Sequence, residues 1–396
     1  MRKKYIFISV TLLLLFFVRP LRLLGLSQLV LIAPIAMLLP VMLARTYLCI
    51  RIRPNITLSR YDLYIFLLLV FFSLMTINSL FLSTVNENMH IYFYFFSGIF
   101  VYLLVRLLSW DRYHTYTLTL ALTFATSVYT IIEFYFYYKD PSLVSYVGNY
   151  KQIMQGVSHF NIAKHDYIFT YSIKPFGVLM EASSSGVLNA MLIVFLLAFG
   201  NRQFKNRSFF YLVILLGFLS IFLSGSKTAY LVITLGLILL SLKKNVLSFS
   251  KSFFLIITAI GFLFIFANFF TESALKLYTD NMLLTPLNQL SGMITDNFLN
   301  ILIGVGEVYQ EPSSLALTEV DFINSIIRYG GLFVLIFLLT MFKALRKESG
   351  GVIFFLIILS SMAHYSVVFK FPVFAYLLLI VASYANEEMA FLNKNQ

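Results

Sequence analysis

Charge is scarce in this chain. Asp, Glu, Lys and Arg make up 12 % of its 396 residues, where a soluble domain carries about 25 %. Cysteine is scarcer still: the single Cys49 excludes an intrachain disulfide and any cysteine-based metal cluster. There is no phosphate-loop motif, no His-Glu-x-x-His zinc spacing and no nucleophile elbow. These absences argue against an ATP-driven pump and a metalloprotease. The aspartates are scattered through the chain, so no metal and no cofactor is expected. No sequence repeat recurs at a fixed period.

What is abundant is apolar surface. Apolar residues make up 60 % of the chain, and they come in blocks such as 64–82 and 253–270. A run of about 18 apolar residues spans the hydrocarbon core as a helix, because a helix satisfies its own backbone hydrogen bonds. The expected fold is therefore all-α and polytopic, a single integral membrane domain over 1–396 with about 12 transmembrane helices. The predicted spans are 5–18, 23–43, 61–82, 89–108, 115–138, 178–199, 208–224, 228–242, 252–270, 320–342, 351–368 and 371–385. Met1 to Lys4 followed by an apolar stretch resembles a signal peptide, but Arg19-Pro20-Leu21-Arg22 follows instead of small residues. The segment reads as a retained first helix.

The net charge of +12 does not point to nucleic acid. The basic residues sit in short clusters between apolar blocks, and with the N-terminus inside, 19 of the 29 Lys and Arg residues fall on inner segments. That is the positive-inside pattern, with both termini cytoplasmic. The acidic residues Asp140, Asp166, Glu272, Asp280, Asp296, Glu307, Glu311 and Glu319 fall on the other side. Two long outer loops are expected, about 139–177 and 271–319. Loops of this length are usually functional or disordered, and their aromatic and apolar content argues against disorder.

Ionisable groups near a membrane are costly and mark cavities or partners. Three segments carry them at outer span ends. In the first, Glu181 shares a helix face with Ser184 and Ser185, one turn before Asn189. In the second, Ser224-Gly225-Ser226-Lys227-Thr228-Ala229 forms a tight turn that sets Lys227 near a helix N-terminus. That pairing of cation and free amides suits an anion such as a diphosphate. In the third, Asp321, Asn324, Ser325 and Arg328 line one helix face, with Asp321 and Arg328 about two turns apart, too far for a direct pair. His364 and Lys370 flank the last outer turn. Thr123, Thr126, Ser127, Thr130 and Glu133 form a further stripe, where helix packing is the expected role of the hydroxyls.

In this order and on this side, these segments resemble the O-antigen polymerase (Wzy) family within the O-antigen polymerase and ligase superfamily. The pieces are Glu181-Ala182-Ser183, the Ser224 to Ala229 turn, Ile303-Gly304-Val305-Gly306, and Asp321 with Tyr329-Gly330. They cover about half of the chain, from Lys174 to Leu332. Ala182 stands where the family commonly has proline, and Lys227 where it commonly has arginine, keeping the charge but losing the bidentate fork. Asp321 stands where ligases carry a histidine, which favours polymerase over ligase.

The resemblance implies a fold like that of the C-type glycosyltransferases and a metal-independent glycosyl transfer at the outer face of the bacterial cytoplasmic (inner) membrane. The donor is a growing glycan on undecaprenyl diphosphate and the acceptor a lipid-linked repeat unit. The product is O-antigen of lipopolysaccharide or a related surface polysaccharide. Lys227, Arg328, Lys174 and Lys370 are expected around the diphosphate, with Ser226, Ser183, Asn324 and His364 as further binding residues. Asp321 or Glu181 is expected as the base. A chain-length regulator is a possible partner; nucleic acid is not. Ligase-like transfer and a flippase for the lipid-linked unit are the alternatives.

Overall fold

The structure is a computed structural model. It describes residues 9–10, 12–17, 20, 59–81, 89–108, 110–140, 142–143, 174–179, 181–199, 206–242, 298–306, 321–348, 350–362, 367–370 and 372–394. Among the described residues the regular structure is all helix. The helices are α1 (Arg60–Phe81), α2 (Met89–Leu107), α3 (Arg112–Lys139), α4 (Ala182–Phe199), α5 (Arg207–Ser224), α6 (Lys227–Leu242), α7 (Asp321–Tyr329), α8 (Gly331–Leu345), α9 (Gly351–Ser361) and α10 (Val373–Lys394). Residues 298–303 form a shorter helical segment.

Among the described residues, five helices are long and apolar enough to cross a membrane, or six if the bent pair α7 and α8 counts as one span. Their surfaces carry the mark of a lipid solvent. Along α1, Leu63, Phe66, Val70, Leu74 and Ile77 are exposed, while Ile65, Leu68, Phe72 and Met75 on the other side are buried. Water would oppose such a face; acyl chains accept it. The chain is a helical membrane protein. The expected spans 61–82, 89–108, 115–138, 208–224 and 228–242 coincide with helices to within a few residues. Those at 23–43 and 252–270 lie outside the described residues, and 5–18 lies partly outside.

Three elements differ from expectation in shape. The stretch 320–342 is two helices bent by 118° at Gly330. The helix expected over 351–368 ends at Ser361, and that expected over 371–385 runs on to Lys394.

The chain divides into two compact units, Met1–Leu38 with Tyr116–Phe270, and Leu39–Thr115 with Thr271–Gln396. In the first, α4 packs against α5 and α6 and is buried almost continuously from Ser184 to Leu196. Its small first turn allows the close approach: a Cβ added at Gly186 would stand 2.4 Å from Ser224 Oγ. In the second unit, α10 packs on α2, and α8 on α1, α7, α9 and α10. Aromatic rings fill this core. Phe72 stacks on Phe95 at 3.7 Å between centroids, and Phe369 lies 5.0 Å from both Tyr329 and Phe337. At one end of the same unit, Arg106 grips Asp62 with two bonds of 3.0 and 2.8 Å, and Tyr102 donates to Asp62 at 2.7 Å.

Candidate functional site

In the first unit the polar residues converge on the turn between α5 and α6. Gly225 ends α5 in the left-handed region at φ 58°, and its N–H donates to Phe222 O at 3.2 Å. Glycine fits there without the Cβ penalty. Ser226 then caps α6, accepting from Ala229 N at 3.1 Å. Ser226 Oγ also donates to the Ser183 carbonyl at 3.4 Å, joining the turn to the start of α4. Ser183 thus meets this turn through its backbone oxygen.

Lys227 opens α6 and is exposed. Lys174, far off in sequence, reaches the same turn: its Cε lies 3.0 Å and its Nζ 3.7 Å from where a Cβ on Gly225 would stand. A side chain there would press on the lysine, so this glycine leaves room for the approach as well as fitting the cap. Burial, and after it the positive charge of Lys227, pull the Lys174 ammonium down to about 8. Two cations and the positive end of a helix dipole therefore share one turn, a setting that favours a multiply charged anion.

Glu181 stands just before α4. Its carbonyl accepts from Ser185 N at 2.9 Å and its carboxylate from Ser184 Oγ at 2.8 Å. The glutamate is half-buried, and its hydroxyl partner holds the carboxylate at the helix start, where the dipole favours negative charge. Asn189, a turn further along, bonds Thr126 Oγ1 at 2.7 Å and Ser220 Oγ at 2.9 Å. The hydroxyl stripe of α3 is thus used for packing in this stretch.

In the second unit, α7 is built around the Ile303 to Gly306 element. The last carbonyls of a helix lack intrahelical donors. Here Gly330 N reaches Ile326 O, Val305 N reaches Ile327 O and Gly306 N reaches Arg328 O, each at 2.9 Å. Asn78 on α1 anchors the same element, donating to Gly304 O at 2.8 Å and to Asn300 Oδ1 at 3.1 Å. The first turn of α7 is tied down as well, since Phe322 N donates to Met362 O at 2.9 Å. Asn324 and Ser325 are buried and Arg328 is half-buried, so much of the polar stripe faces inward. Val305, Ile323 and Ile327 close a small apolar cluster.

The expected site residues are thus distributed. Lys174, Glu181, Ser183, Ser226 and Lys227 belong to the first unit; Asp321, Asn324, Arg328 and Lys370 belong to the second. Asp321 begins α7. Lys370 is half-buried and its carbonyl accepts from Phe374 N in the first turn of α10. His364 lies outside the described residues. Among the described residues, no three His, Cys, Asp or Glu side chains gather as a metal site would need. Sequence reasoning missed the contact between Lys174 and Gly225, because two segments about 50 residues apart carry no local signal of their meeting. No family model matches the chain, and neither a curated protein nor a solved structure matches it.

Proposed function

We propose that this protein is a bacterial polysaccharide polymerase, joining lipid-diphosphate-linked repeat units at the outer face of the cytoplasmic membrane. The observation that supports this reading is the pairing of Lys174 and Lys227 over Gly225 at the start of α6. Glycosyl transfer from a lipid diphosphate leaves the diphosphate with an electron pair and growing negative charge. Preorganised cations and amides facing that charge lower the barrier. An acceptor hydroxyl attacks the anomeric carbon, the bond from that carbon to the diphosphate oxygen breaks, and the hydroxyl proton passes to a carboxylate. Glu181 lies in the same unit as the lysine pair; Asp321 is the other carboxylate that the family resemblance names for this role. The apolar helices suit substrates whose lipid tails remain in the bilayer.

The direct test gives purified protein lipid-linked repeat units in detergent without nucleotide. Lengthened glycans are expected. Lipid movement across a bilayer with no lengthening overturns the polymerase in favour of a flippase, and transfer to a different acceptor favours a ligase. Reporter fusions test the side of the membrane independently. Those at Arg207, Lys244 and Arg346 are expected to read cytoplasmic, and those at Tyr150 and Thr295 external. An external reading at Lys244 would put the lysine pair on the wrong face.

A further inference from the structure

Glu133 lies inside α3 and is 7 % exposed. A carboxylate so placed is expensive unless its oxygens are engaged. Both are engaged, and one of them by the segment that carries Lys174. Gly177 N donates to Oε2 at 2.6 Å, and Tyr137 OH donates to Oε1 at 2.7 Å. The Phe176 backbone adds a further hydrogen bond to this carboxylate, and the Phe176 ring packs edge-on against Tyr137 at 6.0 Å.

The opposite side of the same turn is held by α4. Ser185 Oγ donates to Phe176 O at 2.7 Å and accepts from Leu179 N at 3.1 Å. Gly177, at φ 66°, brings its backbone against Ser185, so close that an added Cβ would fall 2.4 Å from Ser185 Cβ. Residues 176–179 are therefore clasped between two helices by side chains that face inward. Lys174 precedes this clasp by two residues, and Pro175 between them is buried and restricts the backbone of its neighbour. Where the clasp sits determines where Lys174 arrives.

We propose that Glu133 is a positioning residue: its carboxylate holds the 176–179 turn so that Lys174 is delivered to Gly225 beside Lys227. This deepens the diphosphate reading and rests on it for its catalytic meaning, but the positioning itself is separately measurable. A neutral carboxamide still offers one oxygen to Gly177 and an amino group to the Tyr137 oxygen.

The test follows Lys174 itself. Full-length protein in detergent is labelled with an amine-reactive acylating reagent across a pH series, and modification of Lys174 is read by mass spectrometry. In the native protein the midpoint is expected near 8. Glu133→Met removes both acceptors at similar volume, and the midpoint is expected to climb towards the ordinary lysine value of about 10.4. Glu133→Gln is expected to hold it near the native value. An unchanged midpoint in Glu133→Met with native helix content overturns the proposal. Should that variant fail to accumulate, Ser185→Ala decides, since it loosens the same turn from the other side. A smaller upward shift is expected there, and no shift overturns the proposal.

Inorganic pyrophosphate binding separates this from the function. Glu133→Met is expected to weaken it in the native background and to add nothing in Lys174→Ala, the non-additivity of residues acting through one another. If Lys174→Ala and Lys227→Ala bind pyrophosphate as the native protein does, the diphosphate reading falls, while the labelling result on Glu133 stands.

Discussion

Gly304 and Gly330 stand back to back. A Cβ added to Gly304 would lie 2.5 Å from Gly330 N, and one added to Gly330 would lie 2.4 Å from the carbonyl carbon of Ile303. Both adopt φ 90°, where a side chain is strained in any case. This contact lets the Ile303 to Gly306 element cap α7 and lets the chain turn through 118° into α8. Gly304→Ala and Gly330→Ala are each expected to cost about 2–6 kcal/mol from overpacking and backbone strain together. The pair should cost less than the sum, because either change alone separates the same two backbones. Gly331→Ala is the control: its Cβ would meet nothing nearer than Ile301 O at 3.4 Å. Thermal unfolding in detergent reads all four variants.

The Asp62–Arg106 pair, with both side chains 16 % exposed, predicts an asymmetry. Asp62→Leu leaves a guanidinium without its carboxylate and is expected to cost about 3–5 kcal/mol. Changing both to leucine should recover part of that loss, since the desolvation of two charges disappears with them, while Tyr102 OH, Ser59 and Asn386 Oδ1 lose their partners. Denaturation midpoints of the single and double variants check the difference; equal losses would refute it.

Lys174 supplies a pH dependence of known sign. Its ammonium is lowered from 10.5 to about 8, first by burial and then by Lys227. The cost of keeping this group charged in the fold is fully present below pH 8 and is relieved between 8 and 10.5, so this group favours the folded state more as pH rises through that window. Anion binding runs the other way. Above pH 8 the free protein has lost the Lys174 proton, and pyrophosphate affinity is expected to fall. Lys174→Arg, which stays charged, should hold its affinity to higher pH; the ligand's own ionisation is common to both proteins. Calorimetric titrations at pH 7 and 9.5 measure the difference.

Lys227→Ala and Arg328→Ala are expected to abolish glycan lengthening while leaving the protein inserted and abundant. The loss should exceed the roughly 1–3 kcal/mol of an ordinary hydrogen bond, because transition-state charge is left unmatched. Lys227→Arg should keep substantial activity. If both alanine variants lengthen glycans normally at native abundance, the assignment of these cations is wrong.

The two carboxylates are separated by amide variants. Asp321→Asn and Glu181→Gln preserve shape and remove basicity. The one that serves as base should lose nearly all lengthening activity, and the other should retain much of it. The Glu181→Gln oxygen can still accept from Ser184 Oγ, so its loss would report on proton transfer rather than on the start of α4. Initial rates at saturating donor and acceptor read the outcome.

Much of the helical layout was legible because a bilayer imposes a strong local rule. Apolar blocks of membrane-spanning length must be helical, and 61–82, 115–138 and 208–224 became α1, α3 and α5 to within three residues at each end. The tight turn over 224–229, with Lys227 near a helix N-terminus, was legible too, since a turn between two spans acts on neighbouring backbone. The bend at Gly330 was not. The expected span covers 320–342 without a break, and the turn at Gly330 depends on the close backbone approach of Gly304, a residue distant in sequence. Lys174 and Glu133 belong with it. Lys174 read as one of four cations for the diphosphate with no sign of the turn it reaches, and Glu133 as one member of a polar stripe. Among the described residues, the sequence alone indicated most of the helical segments, because backbone hydrogen bonds and hydrophobic length are properties of each segment. Which lysine reaches which turn, and which buried carboxylate holds it there, depended on side chains from separate segments meeting at hydrogen-bond distance, and only tertiary packing decides that.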